Sequence, residues 1–446
     1  MKSEIVITPE MQQAIDIIQY STDHLYLTGK AGTGKTTLLR HILRTVKKNF
    51  VIAASTGVAA INAGGCTLHS LLSIPFGVLA PDDVIKKNVS PNKIKMLQMV
   101  DTIIIDEISM VRPDVLDYID RKLRLILSNE QPFGGIQIVM IGDLFQLPPV
   151  VKKEELVVLQ HYYRGSYFFH AEVWRKTEFK IVELNQVFRQ SDSKFVNILN
   201  RTREYQLTDD DIEELECCRS IKSADDFENK AVHLCARKST VQEINNKLLG
   251  EATHTFTATL TNDFNPMSAP CDLELSLRLG ARVMMTVNDP QKKYYNGSLG
   301  VVVGLSDDGM DVRLDSGLLA FVTRHTWTDI EYVECEGKIV KKEKGSCTQY
   351  PVTLAWAITI HKSQGLTFDN IVIHTKGMFA PGQMYVALSR CTSLSGISTD
   401  AFISPKHIFA DRELLMFVDA YRNANYVFNR DVYRMMRNGN QARINN

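Results

Sequence analysis

Residues 29–36, Gly29-Lys30-Ala31-Gly32-Thr33-Gly34-Lys35-Thr36, follow the spacing G-x-x-x-x-G-K-[ST]. Glycines so spaced let backbone N–H groups close around a string of phosphates, and a helix N-terminus behind them adds partial positive charge. The cradle would be Gly29, Gly32, Thr33 and Gly34, with Lys35 reaching the β- and γ-phosphates of a nucleoside triphosphate and Thr36 ligating Mg²⁺. Such a loop needs an acidic strand end beside it, and Ile103-Ile104-Ile105-Asp106-Glu107 supplies one. Asp106 would hold the metal through water, and Glu107 would polarise the attacking water. A further apolar run ends in Gly142-Asp143-Leu144-Phe145-Gln146-Leu147-Pro148-Pro149, where Gln146 could report the γ-phosphate by hydrogen bonding. Phosphoryl transfer is also stabilised by arginines. Arg189, in Asn185-Gln186-Val187-Phe188-Arg189-Gln190, and Arg390, in Leu388-Ser389-Arg390, are candidates, although by spacing alone either could be a surface arginine.

The elements around these residues form a pattern. His24 to Thr28 reads as a strand entering the loop, and Thr37 to Val46 as the helix leaving it. Ahead of them, Thr8 can cap a helix over 8–20 with Pro9 in its first turn and Met11, Ala14, Ile15 and Ile18 on one face. The apolar runs 50–54, 99–105 and 136–141 each end in polar residues, as strands of a parallel sheet do when helices run between them. Ligands on such sheets sit at the carboxyl ends of the strands. The aromatic-rich stretch 155–180 fits no simple pattern, and a second α/β region begins near Glu183, with a strand over 231–236 and a helix over 239–249. Between Gly297 and Gln349, short strands such as 299–305 and 310–314 alternate with tight turns, which predicts a small antiparallel barrel inserted into the second region. The tail after Arg437 reads as frayed.

Composition excludes more than it selects. The 446 residues allow roughly three domains. Lys plus Arg (51) equals Asp plus Glu (51), so no overall basic surplus argues for nucleic acid, and any strand must be gripped by a local groove. The eight cysteines contain no Cys-x-x-Cys and read as reduced thiols. No apolar run approaches the length of a membrane span.

The phosphate loop, Asp106-Glu107-Ile108-Ser109-Met110, Gly142 to Pro149, Ala357-Ile358-Thr359-Ile360-His361-Lys362-Ser363-Gln364-Gly365 and Leu388-Ser389-Arg390 together resemble the ordered motifs of superfamily-one helicases. Ser55-Thr56-Gly57-Val58-Ala59-Ala60, Gly64-Gly65-Cys66-Thr67-Leu68-His69-Ser70 and the stretch from Asp114 through Pro132-Phe133-Gly134-Gly135-Ile136-Gln137 narrow the resemblance to the petite-integration-frequency (Pif) helicase family. RecD-type enzymes share the general motifs without that stretch in this form. The helical part, Asp114 to Leu127, matches loosely.

This resemblance implies an α/β fold with two RecA-like parallel-sheet lobes, ATP and Mg²⁺ between them, and a small β-barrel of Src-homology-three type inserted in the second lobe. The expected division is 1–180 for the first lobe, 181–296 with 350–410 for the second, 297–349 for the barrel, and 411–446 for a C-terminal helix and tail. The implied activity is ATP-dependent 5′-to-3′ translocation on single-stranded DNA. Forked duplexes, DNA–RNA hybrids and G-quadruplexes would be unwound in genome maintenance. The alternative is a DNA-stimulated translocase that remodels protein–DNA complexes with little strand separation.

Carried over position by position, Gln12, or its neighbour Gln13, would read adenine. Lys35, Thr36, Asp106 and Glu107 keep the roles argued above, and Gln146, Arg189, Gly365 and Arg390 would sense the γ-phosphate. Thr56, Gly57, Thr67 and His69, with His361, Lys362 and Ser363, would meet DNA phosphates. Lys86, Lys87, Lys93, Lys95 and the run 338–344 read first as solvated, and Phe76 and Phe133 as core at least as readily as base-stacking. Many eukaryotic members carry long N-terminal extensions, which this chain nearly lacks. The expectation is a compact bacterial, cytoplasmic enzyme, monomeric when free, with a nuclear or mitochondrial location only in a eukaryote.

Overall fold

A computed structural model describes residues 6–75, 77–86, 89–190, 192–218, 231–306, 308–335, 338–403, 407–408 and 411–423, and only the backbone of Val58, Ile61, Asn62, Ser268 and Glu334. Phe76, Lys87, most of the acidic stretch after Cys218 and the polar tail lie outside the described residues. The chain divides into two units: residues 1–188, 330–343 and 411–446, and residues 189–329 and 344–410.

The first unit is organised by a six-stranded sheet of β1 (His24–Gly29), β2 (Phe50–Ala54), β3 (Cys66–Thr67), β4 (Thr102–Asp106), β5 (Gln137–Gly142) and β6 (Phe179–Leu184), in the order β3-β2-β4-β5-β1-β6. Every neighbouring pair is parallel. The central strands β4 and β5 are apolar because both sheet faces are covered, and Ile103, Ile104, Ile105, Ile138, Val139 and Met140 are buried. Helix α1 (Pro9–Tyr20) begins as its sequence predicts: the Thr8 hydroxyl accepts from Met11 N at 3.3 Å, and Met11, Ala14, Ile15 and Ile18 are the buried face. These pack with Leu25, Leu27, Ile104, Val139 and Ile141.

Strand β6 crosses the 180/181 division expected from sequence. It pairs along its whole length with β1, His24 opposite Phe179 through Gly29 opposite Leu184, and belongs to the first sheet. The aromatic stretch before it is packed by the C-terminal helix α13 (Arg412–Asn423), which groups with the first unit. Phe169 stacks on Phe417 with ring centroids 4.2 Å apart, and Trp174 stacks on Phe179 at 4.3 Å. Arg422 adds two bonds to the Glu183 carboxylate, at 3.1 and 2.8 Å.

Helix α6 (Pro113–Leu127) carries the loosely matched stretch. Arg112, Arg121 and Lys122 point their cations at the carbonyls of Gly77, Ala80 and Lys86, while Asp114 accepts from Leu79 N at 2.9 Å. The helix therefore holds the neighbouring loop by its backbone, which leaves that loop's side-chain identities largely open. Phe133 is fully buried beside His24 and Phe179, so it is core.

The second unit contains a parallel sheet of β7 (Val232–Cys235), β18 (Ala357–Thr359), β19 (Ile371–Ile373) and β20 (Ile397–Thr399), in the order β18-β7-β19-β20. Between β7 and β18 lie antiparallel strands: β8 (His254–Thr257), β9 (Thr259–Asn262), β10 (Glu274–Leu277), β11 (Arg282–Met285), β12 (Leu299–Leu305), β13 (Met310–Leu314), β14 (Leu319–Val322), β15 (His325–Cys335), β16 (Lys338–Gln349) and β17 (Val352–Leu354). Strands β12 and β13 have the limits read from sequence. Their sheet, β14-β13-β12-β11-β17, also takes in β11 and β17 from outside 297–349, and β16 pairs with β9. Val283, Val302, Val312, Ala320 and Val352 form its core. The outer part of β15–β16 groups with the first unit, where the Tyr332 hydroxyl accepts from Ile52 N at 3.3 Å and the Lys341 ammonium donates to the Gly64 carbonyl.

Candidate nucleotide site and nucleic-acid interface

The strand order brings three chemistry-bearing turns to one edge. Strand β5 lies between β4 and β1, with Asp106 opposite Ile141 and Thr28 opposite Gly142. The phosphate loop after β1, Asp106-Glu107 at the end of β4, and Gly142 to Gln146 after β5 therefore leave the sheet at one level.

In the loop, Gly32 and Gly34 have φ of +80° and +84°, the left-handed region that glycine reaches without steric cost. Helix α2 (Lys35–Thr45) starts directly after Gly34 without a side-chain cap, as a helix end that receives phosphate oxygens requires. The Lys35 ammonium donates to the carbonyls of Gly29 at 2.6 Å and Lys30 at 3.0 Å, and the Thr33 hydroxyl donates to Lys30 O at 2.9 Å. Met11 of α1 packs against Gly34, since a Cβ there would lie 3.2 Å from Met11 Cε. Gln12, on the next position of that helix, is exposed and donates to Asp16 Oδ1 at 2.8 Å, and Gln13 is also exposed. Thr36 is exposed at the helix start.

The Asp106 carboxylate accepts from Glu107 N at 3.0 Å. Burial pushes its pKa up, while that N–H and the nearby Lys35 ammonium pull it down. Glu107 has φ 53° and ψ 47°, a left-handed conformation that is strained for a side-chain-bearing residue. Gly142 permits the close approach of this turn, because a Cβ would sit 2.9 Å from Ile108 Cγ2 and 3.2 Å from Ile108 N. Gln146 is buried and donates from Nε2 to Asp143 Oδ2 at 3.3 Å, while Asp143 Oδ1 accepts from Phe145 N at 3.2 Å. Asp143 was absent from the residues singled out by sequence, although its place directly after a buried strand was the available signal.

In the second unit, Arg189 donates to Ser389 O at 3.2 Å, and Gln190 donates to Ser389 O and Cys391 O at 3.3 and 3.2 Å. Burial lowers the Arg189 pKa, opposed by Tyr385. Arg390 is 1% exposed. Its Nε donates to Val386 O at 2.9 Å, Nη1 to Ser363 O and Leu366 O at 3.2 and 3.3 Å, and Nη2 to Ser389 Oγ at 2.8 Å. Gly365 lies within that turn at φ +81°, with open space where a Cβ would be.

Thr56-Gly57 follow β2, and Thr67 ends the adjacent strand β3. Each threonine hydroxyl starts a short helix, Thr56 accepting from Ala59 N at 3.2 Å and Thr67 from Ser70 N at 3.1 Å. His69 is half-buried, with its pKa lowered by burial and then by Arg112. After β18, His361 is half-buried, its pKa lowered by burial and by Lys238, and Lys362 is exposed with Nζ 3.9 Å from Asp272 Oδ1. The Ser363 side chain is fully buried and its hydroxyl donates to Ile360 O at 2.8 Å, so it braces the turn instead of pointing to solvent.

The same edge of the second sheet carries cations that sequence reasoning passed over. Arg237 and Lys238 follow β7, and Lys376 follows β19; all three are exposed. The signal was the one used for His361: a polar cluster directly after a buried apolar strand.

A model of the PIF1-like helicase family matches residues 7–210. The ATP-dependent DNA helicase PIF1 of Danio rerio is 34% identical over 418 residues, covering 90% of this chain and 62% of that one. The chain likewise spans 64% and 63% of the matched rat and mouse proteins. The ATP-dependent DNA helicase Pif1 of Bdellovibrio bacteriovorus is 31% identical over 427 residues, covering 93% and 92% of the two chains. Among solved structures, Bacteroides sp Pif1 in complex with ADP-AlF4 is 48% identical with a TM-score of 0.90, covering 96% of this chain and 100% of that one. Bacteroides Pif1 bound to ssDNA has the same identity and coverage with a TM-score of 0.72. On the matched motif region and on full-length relatives of its own size, the chain belongs to the PIF1-like helicase family.

Proposed function

We propose that the chain is an ATP-dependent DNA helicase that translocates 5′ to 3′ on single-stranded DNA and opens forked duplexes. The observation that carries this reading is the alignment of the phosphate loop, Asp106-Glu107 and Gln146 at the carboxyl ends of β1, β4 and β5 in a member of this family. Relatives named as ATP-dependent DNA helicases, and a Pif1 structure described as unwinding forked dsDNA, support the substrate class.

On this reading Lys35 exchanges its bonds to Gly29 O and Lys30 O for oxygens of the β- and γ-phosphates. The Thr36 hydroxyl and Asp106 carboxylate are an all-oxygen donor pair suited to Mg²⁺, which when bound with nucleotide neutralises phosphate charge. Glu107 polarises the attacking water from a turn in which its backbone is left-handed. Gln146, Arg189, Gly365 and Arg390 respond to the γ-phosphate, and Gln12 or Gln13 to the adenine. Thr56, Gly57, Thr67, His69, His361, Lys362 and the backbone at Ser363 meet phosphates without reading bases, as sequence-independent movement requires. Opening a duplex costs about 1.4 kcal/mol per base-pair step, which one ATP exceeds, so the enzyme's task is direction.

The reading extends to DNA–RNA hybrids and G-quadruplexes as substrates, to genome maintenance as the setting, and to a cytoplasmic enzyme that is monomeric when free. Among the described residues no helix is long and apolar enough to cross a membrane. The test is ATP hydrolysis with and without single-stranded DNA, together with unwinding of partial duplexes bearing a 5′ or a 3′ tail. DNA-stimulated hydrolysis with unwinding from the 5′ tail alone is expected. Stimulation without unwinding would make the chain a translocase that remodels protein–DNA complexes, and no stimulation would overturn the helicase assignment.

A further inference from the structure

The turn from Ile360 to Leu366 carries the proposed phosphate contacts His361 and Lys362, yet it is neither helix nor strand. Its own backbone bonds are Ser363 N to Thr359 O at 3.0 Å, Gln364 N to His361 O at 3.2 Å and Leu366 N to Ser363 O at 3.0 Å. At Gly365 the chain turns through the left-handed region. Such a segment keeps one shape only if other groups hold its carbonyls.

Arg390 holds two of them. One nitrogen, Nη1, donates to both Ser363 O and Leu366 O, bracketing Gly365. The rest of the side chain is anchored to its own helix, α12 (Gln383–Leu388), and the residue after it, through Val386 O and Ser389 Oγ. Ser389 is itself fixed, its hydroxyl donating to Val386 O at 2.9 Å. The backbone adds a second tie, Phe368 N donating to Arg390 O at 2.9 Å and Thr392 N to Phe368 O at 3.2 Å. A planar guanidinium with five donors can satisfy carbonyls on two segments at once, which a lysine ammonium cannot do in the same geometry.

We infer that Arg390 is a positioning residue for the DNA-gripping turn. The inference rests on the functional reading above and adds a duty to it: the guanidinium assigned to the γ-phosphate is also the strut that shapes the strand grip. Any displacement that ATP imposes on Arg390 is passed by its bonds to Ser363 and Leu366 into the turn that carries His361 and Lys362.

The experiment measures binding of a fluorescein-labelled single-stranded oligonucleotide to the full chain without nucleotide. Arg390→Lys is expected to weaken binding about tenfold, the scale of losing bonds from a charged donor. Affinity of Ser389→Ala for a fluorescent ADP analogue, which carries no γ-phosphate for Arg390 to meet, should change far less than its affinity for DNA. Arg390→Ala should bind DNA weakly and recover in part when ethylguanidinium is added. Because a buried arginine can be needed for folding, Ser389→Ala provides a near-isosteric second variant; it removes the Oγ that accepts from Nη2 and donates to Val386 O, and a loss of about threefold is expected. Wild-type DNA affinity in folded Arg390→Lys, or in Ser389→Ala if the former does not fold, overturns the inference. Failure of the wild-type chain itself to bind single-stranded DNA overturns the functional reading instead.

Discussion

Asn245 bonds both backbone groups of Ala357, donating from Nδ2 to its carbonyl at 2.9 Å and accepting its N–H on Oδ1 at 2.8 Å. Asn245 belongs to helix α11 (Lys238–Leu249), and Ala357 opens β18, the edge strand of the parallel sheet. One amide thus substitutes for a missing neighbour strand, directly before the turn that carries His361 and Lys362. Asn245→Ala leaves two buried backbone groups unpaired and should destabilise the chain by about 1–3 kcal/mol. Denaturant melts are the check, and an unchanged midpoint would show that the edge is held otherwise.

Lys35→Ala should reduce ATP turnover by at least about 10²-fold, since it removes a charge aimed at the transferred phosphate. Glu107→Gln should lose turnover comparably while still binding ATP and DNA, because it keeps the shape and loses the base. Steady-state hydrolysis beside equilibrium binding separates the two. Wild-type hydrolysis by Lys35→Ala would remove the phosphate loop from the mechanism.

Phe417→Ala, in the last described helix, should destabilise the first unit by about 3–5 kcal/mol. Phe417 is 1% exposed and stacks on Phe169 from the other end of the chain. A melt in which this variant unfolds with the wild-type midpoint would mean that α13 only rests on the surface.

Acid should weaken the fold before the carboxylates titrate. His24 is held neutral, its pKa lowered from 6.5 to about 4, chiefly by burial. Its Nδ1 accepts from Ile138 N at 3.0 Å, which requires that nitrogen to be unprotonated. His233 is lowered further, to about 3, by burial and by its neighbour His374. A base with a depressed folded pKa gives its full stabilisation above the unfolded value and loses it as pH falls toward the folded value. Stability should therefore decline from pH about 6.5 to about 4, by roughly 3 kcal/mol for His24 alone. Denaturant midpoints across that range should fall for the wild type and flatten for His24→Gln. Equal slopes would exonerate His24.

Arg237→Ala and Lys362→Ala should each weaken single-stranded DNA binding and lower the slope of log affinity against log salt by roughly 0.7, one released counterion per phosphate on a single strand. Titrations at several salt concentrations measure this. An unchanged slope would place that cation off the strand.

What could be read in advance follows the range of the forces involved. The phosphate loop, the acidic end of β4, the limits of β12 and β13 and the buried face of α1 depend on local spacing and period, which a single sequence displays. The aromatic residues between 155 and 180 were opaque because Phe168, Phe169 and Trp174 find their partner in Phe417, far along the chain. The division at 180/181 cut through strand β6 for the same reason, since its pairing with β1 is non-local. Ser363 was carried over as a DNA contact and Arg390 as a γ-phosphate sensor, and motif spacing tells which residues matter and not which way they point; their burial follows from the packing of α12 against the turn.

The return of α13 to the first unit also bears on synthesis. A ribosome releases β1 to β6 early, yet the helix that closes over Phe169 and Trp174 is translated only after the whole second unit. Until then a nascent chain carries an uncovered aromatic surface on its N-terminal half, and chaperone holding is expected to last until α13 emerges.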